Sequence, residues 1–206
     1  MTPLRVIVLV LTLGGLVRPA SAIDLAGNVQ QLQGSAQAMN AAGLARPLRI
    51  GSTILVGDQL RTMTDTRLLL RMNDDAALAL GDHTTMTVAV YEAEKPSGRA
   101  VLDLEQGVFL ATAGAIARGG SGHFTVNTPA GVLDVRDSEV WADQSPDRLA
   151  LLLLSGEGVA VTTVERSIGL TDAETGVEIA LGQAPPRPTK WDWQRLEDAH
   201  QAVAFR

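Results

Sequence analysis

The sequence predicts an all-β chain of many short strands, wound as a β-solenoid or, as the alternative, packed as a β-sandwich, with a short C-terminal helix. Three observations carry this. Short apolar or alternating runs recur along the chain, and Gly-Asp, Asn-Asp and other Gly-containing breaks separate them at roughly 8 to 12 residue intervals. No sustained helical period appears before Trp191.

The first 22 residues stand apart. Met1-Thr2-Pro3-Leu4-Arg5 precedes the apolar run Val6 to Leu13, and Ala20-Ser21-Ala22 supplies the small residues of a cleavage site, so residues 1–22 are expected to be a signal peptide. A membrane anchor needs about 20 consecutive apolar residues, whereas Gly14-Gly15 and Arg18-Pro19 interrupt this stretch. Leu149 to Leu154 is the other conspicuous apolar run, and it has the length of a strand.

Composition narrows the function. Seventeen basic against 23 acidic residues give a formal net charge of −6, and loss of Arg5 and Arg18 with the leader takes it to −8. An acidic chain without a basic run or an aromatic stripe is unsuited to a phosphate backbone, which excludes nucleic acid as a partner. The chain has no cysteine, so an exported protein of this kind must be stabilised by burial and sheet hydrogen bonds, as suits a periplasmic or outer-envelope protein.

The expected strands are Val29 to Leu32, Ser52 to Val56, Thr66 to Met72, Ala76 to Leu80, Thr84 to Tyr91, Arg99 to Leu104 and Val108 to Thr112. Beyond them come His123 to Asn127, Val132 to Arg136, Glu139 to Ala142, Leu149 to Leu154, Val159 to Val164, Ser167 to Thr171 and Val177 to Ala180. Turn residues separate them, among them Gly57-Asp58, Asn73-Asp74-Asp75, Gly81-Asp82, Gly119-Gly120 and Ser155-Gly156. Period-two alternation places Leu68, Leu70 and Met72 inward, and likewise Met86, Val88 and Val90, with Thr85, Thr87, Ala89 and Tyr91 on the opposite face.

Several segments in order resemble the FecR domain family: Gly27-Asn28-Val29, Gly57-Asp58-Gln59-Leu60-Arg61-Thr62, Leu102-Asp103-Leu104-Glu105-Gln106-Gly107, and Phe124-Thr125-Val126-Asn127-Thr128-Pro129 leading to Val135-Arg136. Asp137-Ser138 stand where that family has Gly-Thr. The resemblance spans roughly residues 27–182 and implies an all-β, solenoid-like domain outside the cytoplasmic membrane. In family regulators such a domain is the periplasmic part of a transmembrane protein that controls a sigma factor through a cytoplasmic N-terminal region. A signal peptide starting at Met1 leaves no room for that region, so free-standing envelope interaction is the expectation here.

No enzyme site emerges. His83, His123 and His200 fall in different elements without metal-ligand spacing, and Ser155-Gly156-Glu157-Gly158 reads as a hairpin turn rather than a nucleophile elbow. Asp103 with Glu105, or Asp134 with Glu139 across a turn, are the carboxylate pairs a glycosidase or lyase could use; solvated sheet surface explains them more simply. Turn duty likewise accounts for Asn73, Asp74, Asp75 and Asp82 without calcium. No Gly-rich phosphate loop is present, and no cofactor is expected.

The tail changes character. Ala184-Pro185-Pro186-Arg187-Pro188 forms a stiff connector over residues 184–190. Residues 191–206 follow as an amphipathic helix capped by Thr189, with Trp193, Leu196, His200 and Val203 on one side. The expected organisation is thus a signal peptide (1–22), a FecR-like β-domain (23–183), the connector and the helix. Trp141, Trp191, Trp193, Leu196, His200 and Val203 are the candidate contact residues. The expected function is non-enzymatic protein–protein contact with an unidentified envelope protein, and a glycan-binding module or carbohydrate-active enzyme is the alternative. N-terminal sequencing of protein recovered from the periplasm is expected to begin Ile23-Asp24; a full-length product held in the membrane would contradict the signal peptide.

Overall fold

The computed structural model describes residues 24–93, 97–118 and 122–205. The signal peptide expected at residues 1–22 and the Gly119-Gly120 break lie outside the described residues. The chain passes through β1 (Leu25–Gln33), β2 (Ala36–Met39), β3 (Ala45–Pro47), β4 (Thr53–Leu55) and β5 (Gln59–Thr62), then β6 (Arg67–Met72), β7 (Ala77–Leu80) and β8 (Thr85–Glu92). Next come β9 (Arg99–Thr112), α1 (Ala115–Arg118), β10 (His123–Thr128), β11 (Gly131–Gln144) and β12 (Arg148–Thr162). The last elements are β13 (Ser167–Leu170), β14 (Thr175–Ala180), the two-residue β15 (Thr189–Lys190) and α2 (Trp193–Gln201). All the strands join one open sheet, so the protein is mostly β with few helices.

Strands β9, β11 and β12 each unite two runs that the sequence marks as separate. β9 pairs with β8 and β10 up to Gln106, then with β7 and β11 from Gly107 onward. β11 leaves β10 after Val135 and meets β9 from Glu139. β12 pairs with β14 through Leu153 and with β13 from Val159. The sheet therefore has two wings sharing three strands. One wing continues from β9 through β8, β5, β2 and β3, the other through β7, β6, β1 and β4.

At each crossing a glycine lets another backbone come close. Gly107 has φ +97°, and a Cβ there would lie 2.4 Å from Thr84 Cα. The fully buried Thr84 hydroxyl donates to Val108 O and accepts from Val108 N, both at 3.0 Å. Gly156 has φ +107°, and a Cβ there would meet Asp137 O at 2.2 Å. Ser155-Gly156-Glu157-Gly158 is accordingly no hairpin: it continues β12, with Gly156 opposite Ser138 and Gly158 opposite Arg136. Ser138, at the departure from the family pattern, is buried, and its hydroxyl accepts from Gly158 N at 2.8 Å.

The Gly57–Thr62 motif anchors this frame. Gly57, at φ +87°, donates to Val88 O at 2.7 Å, and Val88 N returns a bond to Asp58 O at 3.0 Å. The Asp58 carboxylate, 1% exposed, takes Arg46 Nη1 and Leu55 N at 2.8 Å each, with Arg46 Nη2 completing a bidentate pair. Leu60 is fully buried, and Thr62 Oγ1 donates to Gly81 O at 2.6 Å while accepting from Thr84 N at 2.8 Å.

One hydrophobic cluster gathers side chains from both wings, including Leu60, Leu70, Met86, Leu102, Phe109 and Leu151. Leu68, Leu70, Met72, Met86 and Val88 point inward as the alternation predicts. Val90 and Tyr91 do not keep the expected faces. Val88 pairs with Leu102 and Val90 with Val101, so a bulge at Ala89 reverses the alternation and turns Tyr91 into the core. The short β2 and β3 have no signal in the sequence, since Ala36-Gln37-Ala38-Met39 lacks strong strand formers.

Tyr91 donates to the buried Asp74 carboxylate, which also takes Ala76 N and Ile116 N at 3.1 Å each. Burial, and then the Asp74 charge, pushes the Tyr91 hydroxyl well above the usual phenol range, so it remains a donor. Asp74 thus ties β7, β8 and α1 together. Asp74→Ala strips three buried donors of their acceptor and is expected to lower unfolding stability by about 2–4 kcal/mol, with Tyr91→Phe costing about half as much; urea denaturation measures both, and an unchanged Asp74→Ala midpoint would refute the assignment.

Candidate functional site

The strand run Leu149 to Leu154 is buried on both faces. Leu149, Leu151 and Leu153 enter the main core, whereas Ala150, Leu152 and Leu154 join a second cluster with Trp141, Val108, Leu110, Trp191, Leu196 and Ala199. Register explains the grouping: Trp141 lies opposite both Leu152 and Leu110, and Ala150 opposite Asp143 and Glu178. This second face is covered by the C-terminal segment.

Thr189-Lys190 stays extended, pairing with Gly176 and Thr175 of β14, and Trp191 N donates to Glu174 O at 2.9 Å. Thr189 is therefore no cap, and the helix starts two residues later than the sequence suggests. Asp192 is the N-cap, accepting from Arg195 N at 2.9 Å. The buried side shifts with the start. Trp191 and Val203 are buried, Leu196 is half-buried, and Ala199 is small enough to sit close against the sheet. Trp193 is 74% exposed and His200 also faces solvent, contrary to the expected stripe.

Trp191 packs edge-on to Trp141, their centroids 5.9 Å apart at 72°. Gly176 makes room, since a Cβ there would lie 2.3 Å from the indole. On the outer side the Arg195 guanidinium sits 4.1 Å from the Trp191 centroid and pairs with Glu178, which Arg148 also approaches at 3.7 Å.

Between α2 and the sheet remains a cleft of about 300 Å³, bordered by Trp141, Asp143, Arg148, Glu178, Arg195 and Asp198. Asp143 is partly buried, and burial raises its carboxyl above the usual range against the opposing pull of Arg148. The Trp141 indole N–H is buried with no hydrogen-bond partner among the described residues. Of the candidate contact residues, Trp141, Trp191 and Leu196 meet in this cluster, while Trp193 and His200 do not. Sequence reasoning missed Asp143, Arg148, Glu178 and Arg195; the available signal was the two-residue spacing of Trp141 and Asp143, which puts them on one strand face.

The carboxylate pairs have other company. Asp103 accepts from Asn127 Nδ2 and Glu105 from Gln59 Nε2, both at 2.6 Å. Asp134 and Glu139 are both on β11 with no turn between them. Asn73 bonds Leu25 O, Asp75 pairs with Arg71 and Asp82 with Arg67. Among the described residues no group of three or more acidic or histidine side chains is placed to hold a metal.

Gly176→Ala is expected to expel Trp191 from its slot. In a Trp193→Phe background, which removes the wet indole, tryptophan emission should shift to the red and the melting temperature fall; unchanged emission would show that Trp191 does not depend on Gly176.

No curated protein matches the chain. Among solved structures, a candidate anti-sigma factor from Parabacteroides distasonis ATCC 8503 is similar in crystal structures at 1.65 and 2.50 Å, each with a TM-score of 0.55 and 16% identity. Each match covers 68% of this chain and 62% of that one, so this chain spans under two thirds of the neighbour's length and the likeness is one of fold. The family model described as FecR protein matches residues 58–157, from the buried Asp58 to the crossing at Glu157. Residues 58–157 are a FecR-domain region.

Proposed function

We propose that this protein is a non-enzymatic contact and regulatory protein of the bacterial cell envelope, exported by a signal peptide at residues 1–22 and working in the periplasm. The FecR-domain region supports the class, and the anti-sigma description of the structural neighbour supports a regulatory setting. Among the described residues no helix is long and apolar enough to cross a membrane. In this reading the two wings face each other in a sandwich-like manner rather than as a solenoid, since every strand pair but β9–β10 is antiparallel.

The contact surface is the outer side of α2, and the observation that carries it is Trp193. An indole left 74% exposed on a helix held from below by Trp191, Ala199 and Arg195 is a rigid aromatic anchor of the kind that dominates protein interfaces. Protein contact is favoured over glycan recognition because Trp141 and Trp191 cover each other and Arg195 covers the Trp191 ring, leaving one free indole as a stacking platform.

A photoreactive phenylalanine analogue at position 193 is expected to cross-link an envelope protein in living cells, whereas the same probe at the exposed Glu165 should not. Adducts at neither position, or equally at both, would overturn the assignment of α2.

A further inference from the structure

We propose that the outer edge of β13 pairs with the same edge of a second copy of this chain, giving a two-fold dimer centred on Gly169. The other outer edges of the sheet are protected. β3 carries Pro47, and β4 has Thr53 O and Leu55 N taken by Arg46 Nη2 and the Asp58 carboxylate. β14, beside the two-residue β15, carries the charged Glu178 and runs on into the Pro-rich connector. β13 pairs in unbroken register with β12 alone, and no other backbone hydrogen bond reaches Ile168–Leu170 among the described residues. Ser167-Ile168-Gly169-Leu170 has neither charge nor proline, the devices that keep such an edge from pairing.

The occupant follows from the segment being complementary to itself. In an antiparallel pair about a two-fold axis through Gly169, residues equally far before and after it face each other. Ile168 then lies opposite Leu170 of the second copy, Ser167 opposite its Thr171, and Arg166 opposite its Asp172, each pair occurring twice. Half-buried Ile168, which packs against the main core, gains an apolar neighbour, and opposite charges meet at both ends. Those charges are available. Neither Arg166 nor Asp172 has an ion-pair partner among the described residues; Arg166 gives Nε and Nη2 to Pro185 O and keeps Nη1 free, and Asp172 is exposed and uses only its backbone carbonyl, which accepts from Thr175. An axis through Ile168 would set Arg166 against Leu170, and a one-residue slip would oppose residues from different faces, so charge and face together select the Gly169 register. A strand this short makes a small interface, so the dimer is weak, with a Kd of about 10–100 µM.

Because the chain has no cysteine, an introduced one reports the register. A Cβ at Gly169 would meet nothing within 4 Å, and directly opposed residues of antiparallel strands have Cα atoms about 4.5–5.5 Å apart, within disulfide reach. Mild oxidation of purified Gly169→Cys protein at about 200 µM is expected to give a covalent dimer. Ser167→Cys, exposed on the same face, should give little, since the axis holds its two thiols about 14 Å apart. Sedimentation of the unaltered protein between about 1 and 500 µM should show a concentration-dependent dimer. Arg166→Asp and Asp172→Arg should each weaken it at least about tenfold, and an equimolar mixture of the two variants should dimerise again, because both facing pairs then carry opposite charges. If either charge variant fails to fold, the two cysteine positions decide the matter. A protein monomeric at about 500 µM, equal cross-linking at both positions, or a mixture that associates no better than its components would overturn the proposal.

Discussion

The architecture depends on three strands being able to change neighbours half-way along without breaking. At those crossings two buried hydroxyls, on Thr84 and Ser138, bond across to backbone that only glycine allows to come so near. A methyl group at Gly107 or Gly156 would sit well inside van der Waals contact with the facing chain. Because β9, β11 and β12 are the strands common to both wings, those few atoms determine how the wings are oriented and so how the single core closes. The Gly57–Thr62 motif belongs to the same system: Thr62 bonds to Thr84, which bonds to Val108, so a turn in the first half of the chain is connected to the crossing of β9.

The second cluster shows how the sheet manages a face that the main core does not use. Trp141, Leu152 and Leu110 would leave a large apolar patch in water, and a nine-residue helix alone would be marginal. Each therefore needs the other. The helix is held at its start by the Asp192 cap, the Trp191 slot over Gly176 and the Arg195–Glu178 pair. Imperfect closure between the two leaves a charged cleft beside buried aromatics.

Much of the fold was legible in the sequence. Leu68, Leu70, Met86 and Val88 obey a period of two, and the turn residues mark most strand ends. What was not legible has common physical causes. A glycine inside a strand looks the same in sequence as a glycine in a turn, so the sequence marks Gly107 and Gly156 as strand ends rather than crossings. The bulge at Ala89 leaves no compositional trace, which hid the burial of Tyr91. Thr189 is a good cap by type, but two residues of strand pairing with β14 hold it extended, and that tertiary preference moved the helix face from Trp193 to Trp191. The candidate site was legible only as its tryptophans; its charged rim is assembled from β11, β12, β14 and α2, and nothing in local sequence joins them.

The run from Leu149 to Leu154 has one further consequence. Six successive residues without charge, proline or glycine form the sort of segment that stacks with copies of itself when exposed. In the folded chain its edges are taken by β11 and β14 and its two faces by the core and by α2. The last of these covers lies some forty residues further along, so the leucine strand is made before its shield exists. The interval between the appearance of that strand and the docking of α2 is therefore the period of greatest hazard in folding, and holding factors that delay collapse would matter most there.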